Sequence, residues 1–296
     1  MVAKTMIQAV WHADDLKRYE NEYNFQILSF HDHVINLRVA SWRHLLIIAD
    51  PFLEQGPAMV CLSNSDFALL KQCRPGIVRG SFNRDYLELW TENQVIKVRW
   101  RESKPASFLS KRYENTNTST LRSAVFSYKS IICKELPPSP AAVLFNLPGG
   151  DNYFRREINR YFPLLVDALL LGREQEFLTV SRKLIGLGQG LTPTGDDLIH
   201  GALVACHSFN YSETFKEYPG AELSRLAAKT NYFGRHMLEM GILGLTPRAV
   251  KMFIDSIAEG RPSDKILNRV TAIGSSSGYE IAIAILCFAE KYIYLR

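Results

Sequence analysis

No Cys-x-x-Cys pair occurs among the five cysteines, Cys61, Cys73, Cys133, Cys206 and Cys287, which are odd in number and widely scattered. That leaves no basis for a zinc knuckle or a disulfide framework, and reduced, mostly buried thiols fit best. Long apolar runs are missing too. Stretches such as Ile281–Ala289 fall well short of the roughly 18–20 residues that a bilayer span needs. Met1–Met6 lacks the apolar core of a secretory signal, so a cytoplasmic protein with no membrane partner is expected. Net charge is small, +5 over 296 residues. The basic excess is local: Lys97–Lys134 holds nine Lys/Arg against two Glu. The same segment is rich in Ser, Thr and Asn around Tyr113–Thr120. It reads as a solvated connector, and no nucleic-acid partner is expected.

What is present is a globular composition, 47% hydrophobic and 22% charged, long enough for about two domains. The two halves differ in period. Phe25–Phe30, Val34–Val39, His44–Ala49, Ala58–Leu62, Tyr86–Trp90 and Val95–Trp100 are strand-length apolar runs separated by turn chemistry, with Thr91–Gln94 as a hairpin turn. Asp66–Cys73 reads as a short helix among them. Beyond the Leu136-Pro137-Pro138-Ser139-Pro140 break the apolar spacing lengthens to three or four. It predicts helices over Phe154–Leu171, Glu174–Leu184, Asp196–Phe209, Ala221–Met240, Ala249–Glu259, Lys265–Ile273 and Gly278–Tyr294. The expected fold is α+β, a small antiparallel β barrel or sandwich followed by a mainly α-helical domain. The expected boundaries are a β-rich domain over 1–104, a basic polar connector with short elements over 105–147, and a helical domain over 148–296.

The most informative stretch is Gly188-Gln189-Gly190-Leu191-Thr192-Pro193-Thr194-Gly195-Asp196-Asp197. Pro193 suits the first helical position and Thr192 the N-cap before it. The N–H groups of Thr194, Gly195 and Asp196 would then be free, and glycines would let a ligand approach the backbone. Together these describe an anion cradle at a helix N-terminus. Asp196 and Asp197 fit the same helix end by complementing its dipole. Alternatively, one of them holds a divalent metal or a substrate amide. No Walker lysine, no G-x-G-x-x-G after a strand and no G-x-S-x-G elbow is present.

A second turn, Gly274-Ser275-Ser276-Ser277-Gly278, precedes the last helix, and Ser277 to Glu280 has capping-box spacing. Gly244-Leu245-Thr246-Pro247 repeats Gly-Leu-Thr-Pro and reads as local capping. His31 and His33 would share a strand face, with surface roles favoured over metal binding because no third ligand is visible. His200 and His207 would share a helix face, and His200 lies within reach of Asp197.

These two turns resemble a bacterial family known as AllH-like, the oxamate carbamoyltransferase subunit family, whose signature reads G-x-G-L-T-P-S/T-G-D-D followed by Gly, here Gly201. Gly274–Gly278 is similar to its G-H-S-S-G motif, and Ser29-Phe30, Asn36-Leu37 and Gln55-Gly56-Pro57-Ala58 resemble its N-terminal pattern. Ser275 and Leu28 stand where the family has histidines. The resemblance implies a subunit that transfers a carbamoyl group between oxamate and carbamoyl phosphate in allantoin catabolism, together with other subunits. Catalytic roles are expected at Asp196, Asp197 and His200. Binding of phosphate, carbamoyl phosphate or oxamate would fall to Gly188, Gly190, Thr192, Thr194, Gly195, Gly274, Ser275, Ser276, Ser277 and Gly278. The competing class is a non-catalytic anion-binding or assembly subunit.

Overall fold

The computed structural model describes residues 3–18, 23–39, 45–73, 77–83, 85–91, 94–113, 116–135, 139–210 and 219–296. His44, the Glu92-Asn93 centre of the expected hairpin turn, residues 114–115 of the polar connector and the Leu136–Pro138 break lie outside the described residues. The chain forms two compact units, Met1–Phe108 and Leu109–Arg296.

Among its described residues the first unit holds ten strands: β1 (Ala3–Gln8), β2 (Trp11–Ala13), β3 (Tyr23–Phe30), β4 (Val34–Val39), β5 (Leu45–Ala49), β6 (Met59–Cys61), β7 (Ile77–Phe82), β8 (Tyr86–Thr91), β9 (Gln94–Arg99) and β10 (Lys104–Ala106). They make one sheet, curled into a half-barrel, in the order β1-β9-β8-β7-β3-β4-β5-β6-β2-β10. Most neighbours pair antiparallel, but β1 with β9, β5 with β6 and β2 with β10 run parallel. Register follows burial: Leu87 faces Val98 and Leu89 faces Ile96, all four buried on one face. Gly80 in β7 sits opposite Phe25 in β3, and a Cβ there would run into the Phe25 ring. Ser29 and Asn36 of the N-terminal pattern are a cross-strand pair, with Asn36 Nδ2 donating to Ser29 Oγ at 2.9 Å. Leu28 marks a register shift between Ile27 and Ser29. Helix α1 (Asn64–Cys73) buries Phe67 and Leu70.

The second unit is helical: α2 (Thr118–Glu135), a 3₁₀ turn (Pro140–Phe145), α3 (Tyr153–Leu170), α4 (Glu174–Leu184), α5 (Thr194–Phe209), α6 (Pro219–Leu226), α7 (Tyr232–Ile242), α8 (Arg248–Ala258), α9 (Asp264–Thr271) and α10 (Ser277–Tyr294). Two features differ from the sequence reading. The polar connector contains the 18-residue α2, whose Leu121, Ala124, Val125, Tyr128 and Ile132 recur at helical spacing and are buried. The helix expected over Ala221–Met240 is broken, because Asn231 Oδ1 accepts the N–H groups of Phe233 and Gly234 and starts α7 afresh.

Helix α5 is buried along all 16 residues. A helix enclosed on every side belongs to the interior of the bundle. Its main neighbour is α10, and they approach closely at Gly201, where a Cβ would stand 2.7 Å from Ala284 Cβ and Ile281 O. Enclosure obliges the polar residues of both helices to find partners inside. That requirement builds the site.

Candidate functional site

The first turn is shaped by Gly188 and Gly190, with φ of 130° and 94°. Both angles lie in the region that side chains disfavour. Helix α5 begins at Thr194 and not at Pro193. Pro193 is its N-cap, extended at φ −57° and ψ 142°, and no side chain caps the end. Thr192 is therefore not the cap. Its hydroxyl pairs with Ser277 Oγ at 2.6 Å, across to the second turn. The free N–H cradle is also absent in the form expected. Gly195 N–H donates to Leu187 O at 2.8 Å, and Asp196 N–H to Pro193 O at 2.9 Å. The physical reason is proline's own backbone: its fixed φ makes it a suitable last extended residue, and its carbonyl closes the first turn. The second Thr-Pro pair behaves alike, with Pro247 at the N-cap of α8 and Thr246 reaching elsewhere.

The second turn also departs from capping. Ser277 lies inside α10, Ser276 is the N-cap without a side-chain bond, and Gly278 N–H returns to Ile273 O at 3.0 Å. Glu280 does not close a capping box. Its Oε1 accepts from Ser139 Oγ at 2.7 Å and from Thr194 Oγ1 at 2.9 Å. The Thr192–Ser277 and Thr194–Glu280 bonds thus hold the two turns side by side. Gly190, Leu191, Gly274 and Ser275 are exposed, Thr192 and Ser276 half-buried, and Thr194, Ser277 and Glu280 buried. Polarity runs from surface loops inward to carboxylates.

Three carboxylates lie at that inner end, and Asp196, Asp197 and Glu280 are each 0% exposed. Asp196 is fully engaged: Oδ1 accepts from Gly186 N–H at 2.9 Å and Oδ2 from Thr230 Oγ1 at 2.5 Å. Gly234 makes room for it, since a Cβ there would collide with Asp196 Oδ2. Burial pushes its carboxyl up to about 6, against the two hydrogen bonds that favour the ionised form. Asp197 is different. Neither of its oxygens receives a normal hydrogen bond, and Glu280 Oε2 is likewise unpartnered among the described residues. Burial first and the Glu280 charge second hold the Asp197 carboxyl well above the usual range.

His200 does not lean on Asp197. Nδ1 lies 2.8 Å from Met237 O and Nε2 3.1 Å from Thr246 Oγ1. A carbonyl only accepts, so Nδ1 carries the proton and Nε2 accepts from the Thr246 hydroxyl. Burial lowers its pKa to about 4, and the ring is neutral. His207 Nε2 meets Ile242 O at 3.1 Å. His31 and His33 lie in the β3–β4 turn, not on a strand face, and His33 Nδ1 meets Asp50 Oδ2 at 2.8 Å. Among the described residues no group of three or more His, Cys, Asp or Glu is placed to hold a metal ion. With both oxygens committed, Asp196 is not free to ligate a divalent ion. The five cysteines are free thiols, and burial raises Cys61 to about 11 and Cys206 and Cys287 to about 12.

The residues missed as site members are Glu280, Ser139, Thr230 and Gly234. One signal for Glu280 was in the sequence: a lone acid opening the apolar run Ile281–Ala289, which is costly to bury unless something answers it.

The family model described as oxamate carbamoyltransferase subunit AllH matches residues 184–289. Both turns and all three carboxylates lie within that span, and the β-sheet unit lies outside it. No solved structure matches the chain. No helix among the described residues is long and apolar enough to cross a membrane.

Proposed function

We propose that this chain is a subunit of an oxamate carbamoyltransferase, working with other subunits, and that the Gly188–Asp197 and Gly274–Gly278 turns hold its small anionic substrate. Oxamate and carbamoyl phosphate share a design: an anionic end and a primary amide. The polarity of the paired turns matches both ends. Backbone N–H groups and hydroxyls at Gly188, Gly190, Thr192 and Gly274–Ser276 would face the carboxylate or phosphate. Asp197, deeper, would accept an amide N–H. A bare anion would be repelled by the carboxylates already there, so an amide-bearing ligand is preferred over phosphate alone. Carbamoyl transfer would then proceed by orientation of the attacking nitrogen and stabilisation of the tetrahedral oxygen, without a covalent enzyme intermediate. His200, with both nitrogens committed, serves to position α7 against α5.

The carrying observation is the Thr192–Ser277 bond, which sets both turns beside a buried carboxylate with no donor of its own. The test is calorimetric titration of the chain with oxamate, carbamoyl phosphate and phosphate, with and without partner subunits. Asp197→Asn should weaken the amide ligands by about tenfold or more, one charge-assisted hydrogen bond. Asp196→Asn should weaken them far less. Equal effects from both variants, or no ligand binding in the assembled enzyme, would sink the reading. Binding by an assembly that shows no turnover would support the non-catalytic subunit instead.

A further inference from the structure

Among the described residues no hydrogen-bond donor answers either oxygen of Asp197 or the Oε2 of Glu280. Thr194, one turn before Asp197 on α5, donates to Glu280 Oε1 at 2.9 Å, which brings the Asp197 and Glu280 side chains, from the first turns of α5 and α10, together in a fully buried setting. Glu280 Oε1 is taken by Ser139 and Thr194. Three oxygens remain: Glu280 Oε2 and both oxygens of Asp197. The other charged group acting on Asp197 is Asp196 beside it, also acidic, and the facing groups Ser277, Ser139 and Thr194 are neutral. Two ionised carboxylates in contact inside a protein repel strongly, and neither could donate to the other.

We propose that Asp197 and Glu280 share one proton, so that the pair carries a single negative charge, and that Glu280 is the positioning residue that keeps Asp197 ready to accept an N–H from the ligand. One proton satisfies Glu280 Oε2 and one Asp197 oxygen at once. The remaining Asp197 oxygen is the acceptor, and on the side nearer solvent Thr192 is bonded to Ser277 at the start of α10. The remaining charge faces the partial positive ends of two helices, which stabilise one anion there. The chain itself thus supplies the anion that paired N-termini attract. This selects a primary amide as the deep group of the ligand. The ligand half of the inference rests on the proposed carbamoyltransferase reading, whereas the shared proton does not.

Infrared spectroscopy of the full chain at pH 8 tests the proton directly, since Asp196, with a pKa of about 6, is ionised there. Wild type should show a protonated-carboxyl band that shifts in D₂O. The band should disappear in both Asp197→Asn and Glu280→Gln and persist in Asp196→Asn. An amide replaces the protonated acid as donor, so both variants should fold; should one fail, loss of the band in the other supports the shared proton equally. No band in wild type, or a band that survives either substitution, overturns the shared proton. In a parallel titration, Glu280→Gln should change the pH dependence of oxamate affinity, and a pH profile identical to wild type counts against Glu280. A band that behaves as expected in a chain that binds neither oxamate nor carbamoyl phosphate would leave the pair intact and refute the substrate.

Discussion

Asp196 and Asp197 are neighbours in sequence with the same chemistry, yet the fold gives them opposite situations. Asp196 has a donor on each oxygen; Asp197 has none among the described residues. Which of the two would face a ligand was not legible, because the answer depends on Gly186, Thr230 and Gly234, brought in from the end of α4 and from the start of α7. Asp196 carries a pH prediction. Its folded-state pKa is raised above the unfolded value, so the folded protein binds its proton more tightly. The stability it contributes is present in full below about pH 4 and is lost as pH rises through about 6, some 3 kcal/mol in all. In Asp196→Asn the carbonyl can still take Gly186 N–H, while the amide donates to the Thr230 hydroxyl. Urea unfolding from pH 4 to 7 should show wild type losing about 3 kcal/mol relative to the variant. Parallel curves would mean that the carboxyl is not desolvated.

At the scale of elements, the helices were largely readable and the sheet partly so. α4 falls where its spacing placed it, and α3, α8 and α10 agree to within a residue at each end, because each has a long apolar stripe between glycine or proline stops. β4 likewise matches its apolar run, Val34–Val39. β1 and β10 were missed since each joins the sheet edge in parallel with a strand distant or short in sequence, pairings that leave no local turn signature. β7 was hidden by Gly80, which weakens a strand pattern but is needed under the Phe25 ring. α2 was masked by Ser, Thr and basic residues on its solvent side. The site motifs were found as strings, but their mechanics were misread: both Thr-Pro pairs looked like caps, and both threonines instead bond to another helix. Thr192→Ala and Ser277→Ala should therefore be non-additive. Each loses about 1 kcal/mol, and a double-mutant cycle in chemical denaturation should return a coupling of about 0.5–1.5 kcal/mol. Additive losses would show that the turns do not support one another.

For the whole molecule, the boundary between the units lies at Phe108 and Leu109. Every member of the large helical cluster, from Leu121 to Ile293, belongs to the second unit, with α5 at its centre and α2, α3, α8 and α10 contributing buried faces. The polar network is equally self-contained: Ser139, Thr192, Thr194, Asp196, Asp197, Thr230, Ser277 and Glu280 all lie beyond Leu109. The family match, residues 184–289, covers only part of this unit. It leaves out α2 and the 3₁₀ turn that supplies Ser139 to Glu280. A fragment cut at the limits of the match would therefore expose the α2-facing side of the core and strip Glu280 of a donor. Residues 109–296 expressed alone should give a helical circular-dichroism spectrum and a cooperative thermal transition, since a domain of this size holds a core sufficient for independent folding. Residues 184–289 alone should be molten or insoluble. The same pair of fragments separates structure from function: if the amide ligand is held as proposed, residues 109–296 should retain oxamate binding within about threefold of the full chain. A fragment that folds but binds nothing would place an indispensable part of the site among residues 1–108, and the two turns would then be insufficient on their own.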